Sequence, residues 1–116
     1  MIHIYKEVRP WGDFERLTKD VPSTVKIITV NQNQSTSLQY HYRRQEYWRI
    51  IQGNPVLTIG DKNISALPGH EFFIDKLVKH RILATNKNVI ILEISLGFFD
   101  ENDIVRLEDQ YGRVSK

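Results

Sequence analysis

The feature that most constrains this chain is its frequent interruption by turn-forming residues. Short runs with apolar residues, such as Thr24–Val30, Glu46–Gln52 and Val89–Leu96, are separated by stretches rich in Gly, Pro, Asn and Asp. Runs of this length with alternating polarity are typical of β-strands and too short for stable helices. Several such strands, with a turn signal about every ten residues, predict an all-β sandwich or barrel.

The same pattern predicts the remaining elements. Further strands are expected at Met1–Tyr5, Phe14–Leu17, Ser37–His41, Val56–Ile59, Ile64–Leu67, Glu71–Ile74 and His80–Thr85, with a turn or loop over Lys6–Gly12. Only the end departs from this pattern, because Phe99–Asp109 has a capping Asp100 and acidic residues that predict a short helix. A chain of 116 residues can bury its own core, so we expect a single domain over residues 1–116.

Composition excludes several classes of protein. Sixteen basic and fourteen acidic residues give a net charge of +2, which is too balanced to predict a nucleic-acid or membrane-surface partner. The absence of cysteine excludes disulfides, thiol catalysis and a cysteine-type structural zinc site. No signal-peptide pattern and no run of about 18 apolar residues is present. We therefore expect a cytoplasmic protein that does not enter membranes.

Four side chains are candidate metal ligands. Gln39 and His41 are two residues apart, so both leave the same face of a strand. Glu46 follows four polar residues that predict a tight hairpin, and His80 lies in a later strand-like run. Taken alone, a Gln/His pair on a strand is more often a polar rim than a ligand set. Together, an amide oxygen, two imidazole nitrogens and a carboxylate suit zinc, manganese, iron or nickel.

These residues also carry a resemblance to a known family. Gln39-x-His41-x4-Glu46-x6-Gly53 resembles the first cupin motif, and Gly69–His80 resembles the second. The segments Arg9-Pro-Trp-Gly12, Ser37-Leu-Gln-x-His41, Arg44-x-Glu46-x-Trp48 and Asp103–Arg113 are similar to one subfamily. That subfamily is the cupin domain at the C-terminus of type II phosphomannose isomerases, which is usually fused to a mannose-1-phosphate guanylyltransferase.

The resemblance implies a single cupin double-stranded β-helix that forms a homodimer. It implies one divalent metal ion, for which zinc is the first choice and manganese, iron, nickel and cobalt are the alternatives. The ligand positions fall on Gln39, His41, Glu46 and His80. The implied activity is metal-dependent mannose-6-phosphate isomerase, which interconverts mannose 6-phosphate and fructose 6-phosphate. Because 116 residues leave no room for the nucleotide-binding half, we do not expect this chain to make GDP-mannose.

Arg44 and Glu46 are the predicted catalytic residues. Arg44 matches an arginine that the family carries for isomerase activity, and it is the first choice to bind the substrate phosphate, followed by Lys76, Lys79 and Arg81. The general base stays open between a metal-bound hydroxide, Glu46 and a tyrosine such as Tyr40.

Two other functions compete with the isomerase. One is a non-catalytic sugar- or metal-binding module, and the other is a cupin isomerase or epimerase that acts on another, nucleotide-linked sugar. The stretch Asp75–Lys79 lacks the proline and glycine that the family usually carries before its last histidine ligand. This departure favours the binding module.

Overall fold

The computed structural model describes residues 2–115, which contain eleven β-strands. They are β1 (Tyr5–Arg9), β2 (Gly12–Arg16), β3 (Ser23–Val30), β4 (Leu38–Tyr40), β5 (Arg44–Gln52), β6 (Val56–Ile59), β7 (Lys62–Ser65), β8 (Glu71–Ile74), β9 (His80–Leu83), β10 (Val89–Gly97) and β11 (Val105–Glu108). This part of the chain has no helix, and hence none that could span a membrane.

The strands form two antiparallel sheets around one core. One sheet has the order β3-β10-β5-β8, the other has the order β11-β4-β9-β6-β7, and β1 and β2 form a separate ribbon. The core contains Val30, Trp48, Ile50, Leu57, Ala66, Ile74, Ile82, Ala84, Val89 and Ile91, which come from both sheets and the connections between them. The prediction of an all-β fold is confirmed. The single domain over residues 1–116 stays a prediction.

The predicted hairpin between Ser37–His41 and Glu46–Gln52 is wrong. β4 pairs with β9 and β11, whereas β5 pairs with β8 and β10, so the two strands lie in different sheets. The chain crosses from one sheet to the other between Tyr40 and Arg44. A short polar connection can form either a hairpin turn within one sheet or a crossing between two sheets. The local sequence does not distinguish these two arrangements.

The predicted helix over Phe99–Asp109 is also wrong. Asp100 begins a turn in which its carbonyl accepts a hydrogen bond from the Asp103 N–H at 3.0 Å. β11 follows and pairs with β4. The segment has too few apolar positions to stabilise a helix by packing, whereas β4 offers a free strand edge for pairing.

The N-terminal prediction was displaced along the chain. Residues 2–4 of the expected strand Met1–Tyr5 are not in a strand, Tyr5 begins β1, and Met1 lies outside the described residues. Instead, the expected turn over Lys6–Gly12 contains most of β1, which pairs with β2 in register from Tyr5–Arg16 to Arg9–Gly12. Only Pro10 and Trp11 form the turn, because two residues suffice to reverse an antiparallel pair.

Candidate metal centre

Three buried side chains from the two sheets meet at one point of the interior. His41 directly follows β4, Glu46 lies in β5 and His80 begins β9. One ligand atom from each lies within 4.8 Å of the other two. The Nε2 atoms of His41 and His80 are 3.3 and 3.1 Å from Glu46 Oε1. The structure therefore brings together three of the four predicted ligands.

Hydrogen bonds to the backbone fix the orientation of both imidazoles. His41 Nδ1 lies 2.6 Å from the carbonyl oxygen of Asp103, and His80 Nδ1 lies 2.9 Å from that of Val78. A carbonyl oxygen only accepts, so each Nδ1 carries the proton and donates it. In a neutral imidazole this leaves a lone pair on each Nε2, as metal-binding histidines require. The Nε2 of His80 has no partner, whereas that of His41 accepts a hydrogen bond from Arg44 Nη2 at 3.2 Å.

The buried polar atoms at this point lack partners. Glu46 Oε1, Glu46 Oε2 and His80 Nε2 have no hydrogen-bond donor or acceptor among the described residues. Unpartnered buried polar atoms are costly and rare in folded proteins. A cation between the two Nε2 atoms and the carboxylate would satisfy all three groups. The donor set of two imidazoles and a carboxylate, without thiolate, suits a borderline divalent metal.

The protonation state of Glu46 agrees with this reading. Burial would raise the pKa of Glu46, but hydrogen bonds from the Nε2–H groups that His41 and His80 carry as imidazolium ions outweigh it and hold the pKa well below its usual range. A metal cation in place of those two protons would favour the same anionic form, which a carboxylate ligand must have.

Gln39, the fourth predicted ligand, lies beside the cluster. Its Cα is paired with that of His80 on the neighbouring strand, so both side chains leave the same face of the sheet. The Gln39 Oε1 accepts a hydrogen bond from Ser37 Oγ at 2.6 Å. An amide oxygen has two lone pairs, so this bond leaves one for a metal. Its role as a ligand stays a prediction.

Arg44 is buried next to the ligands and lies at the start of β5 rather than at a hairpin tip. Only 6% of it is exposed, its Nη2 lies 3.2 Å from His41 Nε2, and its guanidinium stacks on the Phe99 ring at 4.8 Å. Nε and Nη1 of Arg44 have no partner among the described residues. A buried, partly unpaired guanidinium is suited to bind an anionic group beside the metal ligands.

The other predicted residues do not reach the cluster. Tyr40 alternates with Gln39 and His41 along the chain, so it leaves the opposite face of β4, where its hydroxyl lies 3.4 Å from that of Tyr42. This hydrogen bond raises the pKa of Tyr40, which keeps the phenol protonated and unsuited as a base. Lys76 and Lys79 are exposed, and Arg81 forms an ion pair with exposed Glu108 at 3.1 Å.

The unusual stretch Asp75–Lys79 still positions His80. Leu77 adopts φ +67°, a left-handed conformation that favours glycine, and its N–H donates to the carbonyl of His41 at 2.8 Å. The carbonyl of Val78 then accepts from His80 Nδ1. The turn therefore forms without glycine or proline, at the cost of a strained leucine.

Sequence reasoning missed Glu93, a second buried carboxyl group. Only 5% of Glu93 is exposed, and it accepts hydrogen bonds from Trp48 Nε1 at 3.3 Å and Ser95 Oγ at 3.4 Å. Burial and the neighbouring Glu46 carboxylate raise the pKa of Glu93 to about 8. The available signal was its position between Ile91 and Ser95 on the inner face of an otherwise apolar strand.

Asp103 was missed as well, because the helix predicted over Phe99–Asp109 gave it no contact with the site. Its carboxylate accepts the backbone N–H groups of Tyr42 and Arg43 at 2.9 and 3.0 Å, and its carbonyl accepts His41 Nδ1. Asp103 therefore stabilises both the crossing from β4 to β5 and the orientation of the His41 imidazole.

Comparison with solved structures places this architecture in a known class. A cupin protein from Bacteroides fragilis superposes with a TM-score of 0.61 at 21% identity, over 65% of each chain. A Klebsiella pneumoniae protein with a double-stranded β-helix domain superposes with a TM-score of 0.67 at 14% identity, over 80% of this chain and 81% of that one. The fold is a cupin double-stranded β-helix, as predicted, and its interior holds a candidate metal centre.

Sequence comparison identifies the family. The family described as mannose-6-phosphate isomerase C-terminal matches residues 2–109, and this chain belongs to it. The xanthan biosynthesis protein XanB of Xanthomonas campestris is 34% identical over 110 residues, which is 93% of this chain and 24% of XanB. The mannose-1-phosphate guanylyltransferase ManC of Salmonella typhimurium is 31% identical over 115 residues, 97% of this chain and 24% of ManC. The chain thus spans about a quarter of the length of these relatives.

Proposed function

We propose that one divalent metal ion binds to His41, Glu46 and His80, with Gln39 as a fourth ligand. Zinc is the first choice for this ion. The observation that carries this proposal is the convergence of two Nε2 atoms on a buried carboxylate that has no hydrogen-bond donor. Manganese, iron, nickel and cobalt accept the same donor set.

The proposed reaction is the interconversion of mannose 6-phosphate and fructose 6-phosphate. Membership of the family supports a phosphorylated hexose as the substrate. The chemistry moves a proton between C1 and C2 through a cis-enediol, which requires a base and stabilisation of negative charge on oxygen. His41, Glu46, His80 and Gln39 would hold a divalent ion that would polarise the carbonyl and stabilise that charge.

The protein's own groups would provide the remaining functions. Arg44 has unpaired N–H donors beside His41 Nε2, so it is placed to bind the oxygens on which negative charge develops. The pKa of Glu46 is lowered, whereas burial and the neighbouring Glu46 carboxylate raise the pKa of Glu93 to about 8. Two carboxyl groups with pKa values pushed apart are a common arrangement for acid–base chemistry. Tyr40 is not proposed as the base because it leaves the opposite face of β4.

A coupled assay tests the proposal by following fructose 6-phosphate formed from mannose 6-phosphate. The protein is assayed after metal loading, after chelation, and after metal is restored. We expect turnover that chelation abolishes and metal restores. Turnover that survives complete metal removal contradicts the metal-dependent mechanism.

The competing functions are separate outcomes of the same experiment. A bound metal without turnover of mannose 6-phosphate would indicate the binding module, and a screen of sugar phosphates would follow. Turnover of a nucleotide-linked sugar alone would indicate the other isomerase or epimerase class.

The homodimer and the cytoplasmic location also stay predictions. Sedimentation equilibrium should give twice the mass of the 13.7-kDa chain. Cell fractionation checks the location.

A further inference from the structure

An open cleft lies beside β4, the strand that carries Gln39 and directly precedes His41. It has a volume of about 530 Å³ and lies between β3, at the edge of one sheet, and β4 and β11 of the other. Gln39 lines it together with buried Ser37, and both share the inner face of β4 with His41. A small molecule in the cleft would therefore contact Gln39, the predicted fourth ligand.

Arg106 gives this cleft an uncompensated positive charge. It is paired in register with Gln39, so its side chain leaves the same inner face. Its Nε is buried without a hydrogen-bond partner, and no ion pair engages its guanidinium among residues 2–115. Arg113, the other arginine of the cleft, is instead bound by Asp109 at 2.8 and 3.0 Å.

The rest of the cleft wall is consistent with an anion site. The described residues that line it include no aspartate or glutamate. The tail beyond β11 is anchored there by a hydrogen bond from the Tyr111 hydroxyl to Gln34 Oε1. The Arg106 carbonyl also accepts the Ser115 N–H, and the Arg106 N–H donates to Ser115 Oγ. An unpaired guanidinium in a polar cleft without carboxylates favours a phosphate, which it can bind through two parallel N–H bonds.

The spacing from Arg106 to the metal ligands suits a phosphorylated sugar. Arg106, Gln39 and His80 form one row across three neighbouring strands. Two strand spacings separate the Cα atoms at its ends by about 10 Å. A phosphate and a reacting carbon at opposite ends of a hexose chain need a separation of this order.

Arg44 is too close to the ligands for the same task. Its Nη2 lies 3.2 Å from a ligand nitrogen, whereas the phosphate of a hexose 6-phosphate is attached at the far end from C1 and C2. We propose that Arg106 binds the substrate phosphate in the cleft and leaves Arg44 to the oxygens at C1 and C2. This inference rests on the proposed function, and it replaces the expectation that Arg44 binds the phosphate.

The test compares metal-loaded wild-type protein with Arg106→Gln, Arg106→Lys and the control Lys62→Gln. The control removes one positive charge from the same sheet, at an exposed lysine of β7 that does not line the cleft. We expect Arg106→Gln to raise KM for mannose 6-phosphate about 10- to 100-fold, as for loss of a charged hydrogen bond, with a smaller change in kcat. Arg106→Lys should be intermediate, and Lys62→Gln should match wild type.

Calorimetry separates failure of this inference from failure of the proposed function. It compares binding of fructose 6-phosphate and of fructose, and it does not require turnover. If the wild type binds only the phosphorylated sugar and the Arg106 variants lose that preference, the phosphate site stands even if no isomerase activity is found. Equal binding of both sugars, or of neither, overturns it. Inhibition of the isomerase by inorganic phosphate is measured as well. The proposal is also overturned if Arg106→Lys and Arg106→Gln fold and keep the wild-type KM for mannose 6-phosphate and the wild-type inhibition by phosphate.

Discussion

His80 is the residue on which the candidate centre most directly depends. It brings an unpartnered Nε2 to Glu46 and uses its Nδ1 to fix the ring. His80→Ala should lose the metal, because a single histidine and a carboxylate bind borderline metals much more weakly than the full set. Metal content of the purified variant, measured by atomic emission after dialysis, checks this.

His70 provides the matched control for that experiment. It is an exposed histidine in the turn before β8, where its Nδ1 accepts the N–H of Leu67 at 3.1 Å. His70→Ala should keep the wild-type metal content. Equal metal in both variants would remove His80 from the ligand set.

Leu77 carries strain that a single substitution can relieve. Its φ of +67° is unfavourable for a side chain with a Cβ, and 57% of the residue is exposed. Leu77→Gly should therefore stabilise the protein by about 1 kcal/mol in urea unfolding. Leu77→Ala keeps the Cβ and removes the exposed side chain, so it should not reproduce the gain. A destabilised glycine variant would show that the leucine side chain itself matters.

The segment between β10 and β11 acts at the scale of an element, because it anchors the crossing from β4 to β5. Burial would raise the pKa of Asp103, but the N–H groups of Tyr42 and Arg43 outweigh it and hold the pKa below its usual range. A carboxyl group with a lowered folded-state pKa stabilises the protein above its unfolded-state pKa, and this contribution disappears as the pH falls through the folded-state value.

Asp103→Asn should therefore cost about 1 kcal/mol of unfolding free energy at pH 7. The difference from wild type should shrink as the pH falls below about 4, the unfolded-state pKa, and disappear once the folded-state carboxylate is protonated at its lower pKa. Urea unfolding across this pH range measures it. Asp61→Asn, in the exposed turn between β6 and β7, removes the same charge and should have no comparable effect. A pH-independent difference at position 103 would mean that the charge is not involved.

Sequence could predict the inward faces of strands but not which strands become neighbours. Alternation along a strand predicts a common face for Gln39 and His41, because it depends only on local geometry. The hairpin at residues 37–52 and the helix at 99–109 were wrong because pairing of β4 with β11 is a contact between distant segments. Asp103 was missed for the same reason, since its partners Tyr42 and Arg43 are about sixty positions away.

At the scale of the whole molecule, the centre joins the two sheets. Glu46 belongs to the β3-β10-β5-β8 sheet, while His80 belongs to the other and His41 follows one of its strands. A metal bound there stabilises the folded state by mass action, which at 100 times Kd amounts to about 2.7 kcal/mol. For a chain of this size we expect Tm to rise by about 10 °C. Calorimetric scans with metal and with chelator measure the shift.

The same scans on His80→Ala give the control for this prediction. Metal should leave the Tm of that variant unchanged, because the folded state has lost its preferential affinity. An equal rise in Tm for variant and wild type would mean that the ion acts elsewhere on the protein.

The crossing between the sheets has a consequence for how such a site can change or be transplanted. Only Tyr42 and Arg43 separate His41 from β5, so the length of this connection fixes the position of Glu46 relative to His41. One inserted residue would turn Glu46 towards solvent or shift the pairing of β5. Relatives that keep the site should therefore vary in length at other loops and not here. To transfer the centre to another β-sandwich protein, the whole His41–Glu46 segment should be moved together with Asp103. Transferring the candidate ligands one at a time would lose the connection that positions them.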